Sequence, residues 1–387
     1  MNKIYRTLVI VVLLFLVSGT SMLRAGNRDR SGQAGMQQLL IDPWARSNGW
    51  GTCGVAETRG MESIYGNVAG IAFVNKLEFG FSRTQYLSGS GADIGINAAA
   101  VAVKLSRKNK ETGTAKDYGV LGISFFGMTF GDILVTTVDN PEGNMGTFSP
   151  SLIHIGVHYA KSFNRYIHGG ISGKIVNESI RDMSATGFAI DAGIQYLSGT
   201  YENFKIGVTL KNIGIPARYR GDGLSVRGVV SGSSYDITME QRSADMEMPS
   251  FLVLGLSYDF LFWGGIYKEM SKEDRIGEGV TRDDAEHRLT LAGSFTANAY
   301  SRDVFSLGVE YGFRRHFMVR AGYTLEAGMW DIVNATTFYA GPSMGVTALI
   351  PLVKKGKAPV RNIYLDYGYR FTNRWRGNHY IGIKVAL

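Results

Sequence analysis

The stretch FSLGVEYGFRRHFMVRAGYTL, residues 305–325, alternates apolar side chains with small or polar ones on both sides of a break at residues 314–316. Side chains of a β-strand point alternately to opposite faces, so the pattern predicts two antiparallel strands joined by a tight turn. The apolar face carries Phe305, Leu307, Val309, Tyr311 and Phe313 before the turn, and Phe317, Val319, Ala321 and Tyr323 after it. A half-buried sheet of a soluble sandwich shows the same alternation, so the hairpin alone leaves open whether this face meets protein or lipid.

The composition of the whole chain favours a long antiparallel sheet. Its 387 residues include 50 glycines, 20 tyrosines, 20 phenylalanines and 8 prolines, and hydrophobic residues make up 45%. Glycine is nearly twice as frequent as the roughly 7% of average usage, while the hydrophobic content is close to that of soluble proteins. We therefore expect no bundle of transmembrane helices.

The N-terminus has the pattern of a secretory signal peptide, which we assign to residues 1–25. Lys3 and Arg6 precede an apolar run over residues 8–17, and small and polar residues then lead to Ala25. This run is shorter than the roughly 20 residues of a comfortable membrane span. We expect the chain to be exported.

Fourteen segments after residue 76 alternate with the two-residue period of strands, and we find no convincing amphipathic helix between them. Their lengths are close to the roughly 9–11 residues of a tilted transmembrane strand. The more regular segments are residues 77–83, 151–161, 187–197, 203–212, 251–260, 304–313, 317–325, 363–371 and 380–387. The less regular ones are residues 92–105, 118–128, 166–178, 287–297 and 338–350.

The connections between these segments favour a membrane barrel over a soluble sandwich or propeller. Residues 131–150 and 213–249 form long polar connections, and residues 198–202 are one of several short turns. Long loops on one side and short turns on the other are typical of outer-membrane barrels. A closed sheet also leaves no unpaired edge in the hydrocarbon layer. The predicted fold is all-β, a transmembrane antiparallel barrel of about 14 strands over residues 77–387. Residues 263–284 fit poorly as a short turn and are interpreted as an insertion.

The inward face of this barrel is poor in bulk because it carries many glycines, and glycine in a strand often marks the close approach of another backbone. We therefore predict that residues 26–76 fill the lumen as a hatch, or plug. A three-residue turn centred on Arg315 places Glu310 opposite Arg320 on the inner face. We predict an ion pair between them; the alternative is that each finds other partners in the lumen.

Several apparent motifs have simpler interpretations. GWGTCG, residues 49–54, matches a dinucleotide-binding pattern but lacks the strand and helix that such a site requires, so it is interpreted as a glycine-rich turn of the hatch. His154 and His158 lie on one strand about 13 Å apart, too far to share a metal ion. Cys53 is the single cysteine. We expect no catalytic residue, no metal and no cofactor, although a site assembled from distant loops stays open. The net charge of +8 is scattered, which argues against a nucleic-acid partner.

The hatch segment LLIDPWARSNGWGTCGVAETRGMESIYGNVAGIA, residues 39–72, resembles the N-terminal signature of the PorV/PorQ family of Bacteroidota outer-membrane proteins. The matching features are an Ala-Arg pair, a glycine-rich turn with Gly-Val-Ala, and Asn-x-Ala-Gly at residues 67–70, where Val68 stands in place of the usual proline. HRLTLAGSF, FSLGVEYGF, VRAGYTL and YLDYGYRF resemble the family's later strands. The resemblance covers nearly the whole mature chain.

This resemblance implies a barrel similar to the fatty acid transporter FadL, in the outer membrane of a Gram-negative bacterium and in contact with its lipid bilayer. It further implies a component of the type IX protein secretion system, whose partners are the translocon or the C-terminal signal domains of cargo proteins. The alternative, which a FadL-like fold permits, is a transporter of hydrophobic small molecules.

Two sets of residues are candidates for function. Trp44, Arg46, Trp50 and Asn67 are the expected anchors of the hatch, and Arg46 needs a carboxylate partner because an unpaired buried charge is costly. Candidates for partner contacts on the outer loops are Phe148, Tyr235, Trp330 and Trp375. The alternative, favoured for Trp330 and Trp375, is an aromatic girdle at the membrane interface.

Overall fold

Fourteen long antiparallel strands form one sheet that closes on itself in this computed structural model, which describes residues 26–89, 94–108, 115–143, 145–229, 235–331, 335–352 and 361–387. The predicted signal peptide lies outside the described residues. The strands are β1 (Leu77–Gln85), β2 (Gly95–Lys108), β3 (Ala115–Thr129), β4 (Ser151–Ser162), β5 (Ile167–Ile180), β6 (Met183–Ser198), β7 (Phe204–Ile215), β8 (Phe251–Phe262), β9 (His287–Asn298), β10 (Val304–Phe313), β11 (Phe317–Glu326), β12 (Tyr339–Leu352), β13 (Arg361–Thr372) and β14 (Asn378–Ala386).

Each strand pairs with its neighbours in the chain, and β1 also pairs with β14 to close the barrel. In that seam Phe79 lies opposite Val385. Because β1 pairs with β2 on its other side, neither of its edges is left open. Closure gives the backbone N–H and C=O groups at the strand edges the hydrogen-bond partners that lipid cannot provide.

The alternation seen in the sequence sorts side chains between the outside and the lumen. On β14, Ile381 is 60% exposed, while Lys384 is only 5% exposed. The hairpin of β10 and β11 behaves in the same way, with Leu307 and Val319 exposed and Glu310 and Arg320 buried. The apolar face therefore points away from the lumen, where a bilayer would cover it.

The connections differ between the two ends of the barrel. The end that carries connections 130–150 and 216–250 is called the loop end below, and the opposite end is the turn end. At the loop end, Ile133–Leu134 pairs with Thr147–Phe148, Ser225–Val229 pairs with Asp236–Glu240, and Tyr219–Arg220 extends β6. The insertion expected at the turn end is present as residues 263–286, with short helices at Ile266–Glu269 and Lys272–Gly277 and a 3₁₀ turn at Arg282–Asp284.

Several strands are longer than the sequence pattern indicates. β6 begins at Met183, four residues before the predicted start, and β7 continues to Ile215. The pairing of β6 with β7 shifts between Ile190 and Ala192, and Asn212 on the facing strand has a positive φ of 58°. Such a β-bulge adds an extra residue to one strand and interrupts the two-residue period that sequence reading relies on.

Residues 26–76, called the hatch below, contain only short helical turns. Five are 3₁₀ turns, at Arg28–Arg30, Gln37–Leu40, Gly54–Ala56, Met61–Ile64 and Val68–Phe73, and one is α-helical, at Ala45–Asn48. No helix in the described parts of the chain is both long and apolar enough to cross a membrane, a finding that does not bear on crossing by β-strands.

Candidate functional site

The hatch contacts lumen-facing residues between the loop end and the turn end of the barrel. The backbone N–H of Gly26 donates to the Asp303 carboxylate at the loop end, with an N···O distance of 2.8 Å. The hatch finishes at residue 76, immediately before β1 leaves the turn end. Trp44, Trp50 and Asn67 are each at most 2% exposed. These hatch side chains are therefore packed against the inner wall of the barrel.

Trp50 lies against glycines of the barrel wall. Its backbone lies on Gly322 of β11, where an added Cβ would overlap it, and close to Gly308 of β10, where an added Cβ would overlap the Cys53 sulfur. The next hatch residue, Gly51, accepts a hydrogen bond through its carbonyl from the Thr324 hydroxyl, at 3.3 Å. The inward glycines allow the hatch backbone to lie directly on the strands.

Asn67 binds the hatch to the wall and shapes the hatch itself. Its side-chain oxygen accepts from the backbone N–H of Ala69 at 3.2 Å, which caps the 3₁₀ turn Val68–Phe73. Its amide nitrogen donates to the carbonyl oxygens of Ile194 on β6, at 3.0 Å, and Val208 on β7, at 3.4 Å. One side chain therefore serves as a cap and as a cross-link.

Trp44 belongs to the apolar packing of the hatch. Its ring meets Tyr65 edge-on, with centroids 6.2 Å apart and planes inclined by 72°. It joins a buried cluster that includes Met61, Ile64 and the inward alanines of β2. The indole N–H has no hydrogen-bond partner, so the contribution of Trp44 is contact area.

The first ionic tie, called the Glu310 cluster below, joins the hatch to β9, β10 and β11. Glu310 and Arg320 lie opposite each other in the strand register, and the Arg320 guanidinium donates to the Glu310 carboxylate. The same carboxylate accepts from Arg288 on β9, and Arg46 of the hatch approaches it at 3.4 Å. Arg320 also donates to the Thr347 hydroxyl at 2.7 Å. The lumen thus supplies the carboxylate that Arg46 needs.

The second tie joins the hatch to β7, β8 and the turn-end insertion. Arg282 of the insertion donates to Glu57 of the hatch at 2.7 Å and to Asp259 on β8 at 2.8 Å. Lys205 on β7 binds the same two carboxylates. Two carboxylates and two cations balance in charge, and Thr290 donates a further hydrogen bond to Asp259 at 2.7 Å. The insertion therefore reaches into the lumen and contacts the hatch directly.

A third tie is a single pair. Lys384 on β14 donates to Glu62 of the hatch at 2.9 Å, and both side chains are buried. The Lys384 ammonium also lies 4.3 Å from the ring centroid of Tyr364 on β13. All three ties attach the hatch to the half of the barrel formed by β7–β14.

The part of the lumen wall formed by β2 and β3 is largely apolar. At the loop end a buried cluster of Tyr86, Ile96, Phe126 and Met128 lines β1–β3 and packs against Ile41 and Tyr65 of the hatch. Towards the turn end, small inward side chains of β2 contact the 3₁₀ turns of the hatch. The hatch therefore touches β2 and β3 mostly through apolar groups, whereas its ion pairs are with β7–β14.

A small cavity lies deep between hatch and barrel. Its volume is about 10 Å³, room for about one water molecule. Two hatch aliphatics, Leu39 and Ile64, form part of its lining, and the polar lining residues are Tyr65, Ser124, His154, His158, Lys174 and Lys211. His154 and His158, which are separated along β4, thus line one cavity.

The four aromatic candidates for partner contacts all lie at the loop end. Phe148 is in the short hairpin with Ile133–Leu134, and Tyr235 is 67% exposed beside Asp236–Glu240. Trp330, in the connection after β11, is 71% exposed. Trp375 is partly buried and packs edge-on against Phe338, with centroids 6.2 Å apart. They are spread around the rim and form no shared cluster.

Sequence reading missed several residues of the lumen. Glu57, Arg282 and Tyr65 lie in segments without strand periodicity, so no pattern indicated where their side chains point. Lys211 follows the inward alternation of β7 with Lys205 and was therefore within reach of the sequence pattern. The described part of the chain holds no group of three or more His, Cys, Asp or Glu side chains that could bind a metal ion.

Comparison with solved structures identifies the fold. The structure is similar to a TodX mutant described as a monoaromatic hydrocarbon channel, with a TM-score of 0.51 and 13% sequence identity over 88% of this chain and 97% of that one. The Pseudomonas putida toluene transporter TodX gives 0.48 and 13% over 89% and 96%. A Pseudomonas aeruginosa FadL homologue gives 0.44 and 11% over 88% and 97%. No known protein family and no curated protein matches the sequence.

Identities this low establish similarity of fold alone. The neighbours are described as a channel, a transporter and a FadL homologue, and none of the three as an enzyme. The prediction of an all-β barrel of about 14 strands is confirmed. The chain has the closed 14-stranded fold of the FadL-like outer-membrane barrels.

Proposed function

We propose that the protein is an outer-membrane barrel through which small apolar molecules enter the cell from the loop end. The observation that carries this proposal is the apolar wall at the loop end of the lumen, formed by Tyr86, Ile96, Phe126 and Met128. An apolar molecule leaving water gains free energy on such a surface in proportion to the area buried. The structural neighbour described as a monoaromatic hydrocarbon channel supports the same reading.

The asymmetry of the lumen indicates where a molecule would pass. The hatch is bound to β7–β14 through Arg46, Glu57 and Glu62, whereas its contacts with β2 and β3 are mainly apolar. A shift of the Tyr65 side chain away from Phe126 on β3 breaks no ion pair and exposes apolar surface on both sides. Passage along β2 and β3 therefore costs less than passage along the strands that are ion-paired to the hatch.

Uptake of radiolabelled toluene by a Gram-negative host without its own hydrocarbon channel tests the proposal. Cells that make the protein are expected to take up toluene faster than cells with the empty vector. Phe126→Asp places a charge on the apolar wall and is expected to abolish the gain, while Phe126→Leu, the matched control, preserves it. Equal uptake with and without the protein, at matched amounts in the outer membrane, rules the proposal out.

A second candidate function is a role in type IX protein secretion, as the resemblance to the PorV/PorQ family implies. The resemblance of residues 39–72 favours it, and so do the exposed Tyr235 and Trp330 on loop-end connections, because loops on a rigid scaffold commonly carry binding sites. The expected partners are the translocon or cargo signal domains, held at Phe148, Tyr235, Trp330 or Trp375.

Affinity isolation from native membranes, followed by identification of partners, tests this second candidate. Tyr235→Ala together with Trp330→Ala is expected to reduce the recovered partners, and Arg181→Ala, an exposed change in the connection between β5 and β6, is the control. Repeated isolation as a lone barrel, with normal secretion after deletion of the gene, contradicts it.

A further inference from the structure

The cavity between the hatch and β3, β4, β5 and β7 contains more hydrogen-bonding capacity than its neighbours use. His154 is 2% exposed, and neither of its ring nitrogens has a hydrogen-bond partner. Its ring is stacked on Phe126, with centroids 4.6 Å apart and planes within 9°, so the orientation is fixed. The Tyr65 hydroxyl is also buried without a partner. Buried polar groups are nearly always hydrogen-bonded, so the unpaired groups of His154 and Tyr65 indicate that a small ligand occupies the cavity.

The two lysines of the cavity differ in how their charge is balanced. Lys174 donates to Asp191 and to the Asn212 side chain, each at 2.7 Å. Lys211, 6% exposed, donates only to the Tyr65 backbone carbonyl. No carboxylate oxygen in the described ranges lies within 4.0 Å of its ammonium nitrogen. Asp191 and Asp42 attract Lys211 only from beyond that distance, so its charge has no directly bonded partner. A buried ammonium in this position is costly, because it has lost its hydration.

We propose that this cavity binds a single small anion, of the size of chloride, against the Lys211 ammonium. The anion neutralises Lys211 and accepts hydrogen bonds from the ammonium, from the Tyr65 hydroxyl and from the protonated nitrogen of the His154 ring. Each of these groups lines the cavity. The anion thereby bridges the hatch, through Tyr65, to β4 and β7.

The volume of the cavity and the charge of its lining favour a small monatomic anion. A volume of about 10 Å³ holds about one water-sized particle, so polyatomic anions such as sulfate or a fatty-acid carboxylate are too large. A cation is excluded because Lys174 and Lys211 both line the space and Asp191 is already bonded to Lys174. A water molecule satisfies hydrogen bonds but leaves Lys211 with only the more distant attraction of Asp191, which Lys174 shares, and Asp42. The inference does not depend on the proposed transport of apolar molecules.

Bromide replaces chloride readily and is visible by its anomalous scattering, so a crystal of the wild-type protein grown in bromide is the primary test. An anomalous peak in contact with Lys211 Nζ and facing Tyr65 is the expected result. A cavity that contains a water molecule or nothing overturns the proposal. This measurement needs no variant, and neither outcome depends on whether toluene is taken up.

Thermal unfolding in detergent provides the second arm, with sodium chloride compared with sodium gluconate at equal ionic strength. Chloride is expected to raise the Tm of the wild type, since a ligand of the folded state stabilises it. Lys211→Met is expected to abolish this difference and to weaken bromide binding by roughly tenfold to a hundredfold, the range for hydrogen bonds to charged groups.

Lys268→Met, which removes an exposed lysine from the turn-end insertion, is the control and should retain the full effect of chloride. An equal chloride effect in Lys211→Met and wild type contradicts the proposal. So does stabilisation by octanoate but not by halide, because it assigns the cavity to the head group of a larger molecule.

Discussion

The Glu310 carboxylate on β10 lies directly opposite Arg320 on β11 and is shared with two further guanidinium groups, those of Arg288 and Arg46. Both members of the facing pair are 0% exposed. One carboxylate thus holds three cations from two neighbouring strands and the hatch. Its loss leaves buried charges that nothing else in the Glu310 cluster can balance.

We expect Glu310→Gln to destabilise the barrel by about 3–5 kcal/mol, the usual cost of removing one partner of a buried ion pair. Urea unfolding in detergent measures the change. The double variant Glu310→Met with Arg320→Met should recover part of the loss, because it removes a charge of each sign. Glu240→Gln, exposed at the loop end, is the control. A Glu310→Gln barrel as stable as the control contradicts the assignment.

We expect Arg282→Met to loosen the hatch, because Arg282 links Glu57 of the hatch to Asp259 of the wall from the turn-end insertion. Cys53 reports on such loosening, since it is the only cysteine and is fully buried between the hatch, to which it belongs, and β10. Its rate of labelling by a membrane-impermeant maleimide should rise at least severalfold in Arg282→Met.

Arg181→Met, with its guanidinium exposed at the loop end, is the control for this labelling and should react as slowly as the wild type. Conductance in planar bilayers gives an independent measure of an opened lumen. If Arg282→Met protects Cys53 as well as the wild type does, the insertion does not hold the hatch in place.

We expect Gly322→Ala to disturb the contact between the hatch and β11, because the new Cβ overlaps the Trp50 backbone. Overpacking of this kind costs about 1–3 kcal/mol. A lower Tm and faster labelling of Cys53 should accompany it. Gly173→Ala is the matched control, since its Cβ meets the Phe188 ring on the outer face at an ordinary 3.7 Å. Equal behaviour of the two variants argues against close contact at Gly322.

We expect the loop-end connection 216–250 to loosen in acid. Arg218 binds Asp245 through two hydrogen bonds of 2.8 Å, and these bonds hold the pKa of Asp245 below its ordinary value of 3.8. A group with a lowered pKa in the folded state stabilises it above the unfolded pKa, and this contribution is lost as the pH falls through the folded value. The pairing is therefore intact at neutral pH, and it is lost as the pH falls below 3.8 and through the lowered pKa of Asp245.

A spin label at Met239→Cys, in a Cys53→Ser background, reports the mobility of this connection. Mobility should increase between pH 7 and pH 3 in the parent chain. Arg218→Met should be mobile at both values, because the pairing is absent throughout. A label whose mobility is the same at both pH values in the parent chain contradicts the prediction.

The barrel was predictable from the sequence because its strands share one pattern, the alternation of apolar side chains with small or polar ones. Every strand that crosses a bilayer must turn apolar side chains to lipid, so the alternation around Leu307 and Val319 is nearly uninterrupted. The opposition of Glu310 and Arg320 followed from the same rule, since a three-residue turn fixes the register. Where a bulge interrupts the period, as at Ile190, the predicted boundaries were short by several residues.

The contents of the lumen were less accessible to sequence reading. The hatch has no period, and its side chains are placed by contacts with strands that are distant in sequence, such as Glu57 with Arg282. The need for a carboxylate beside Arg46 was clear from the cost of burial, but its identity as Glu310 depends on how the hatch lies in the barrel. The cavity at Lys211 arises from five separate segments and left no local signal.

The seam between β1 and β14 has a consequence for the order of assembly. β14 follows the hatch and the other thirteen strands along the chain, so the barrel can close only after the hatch has been made. Inserting the hatch into an already closed barrel would remove the hydration of its charged side chains, which is costly. We therefore expect the hatch to contact the growing sheet before β14 pairs with β1. The inward glycines allow this contact from the first strands onward.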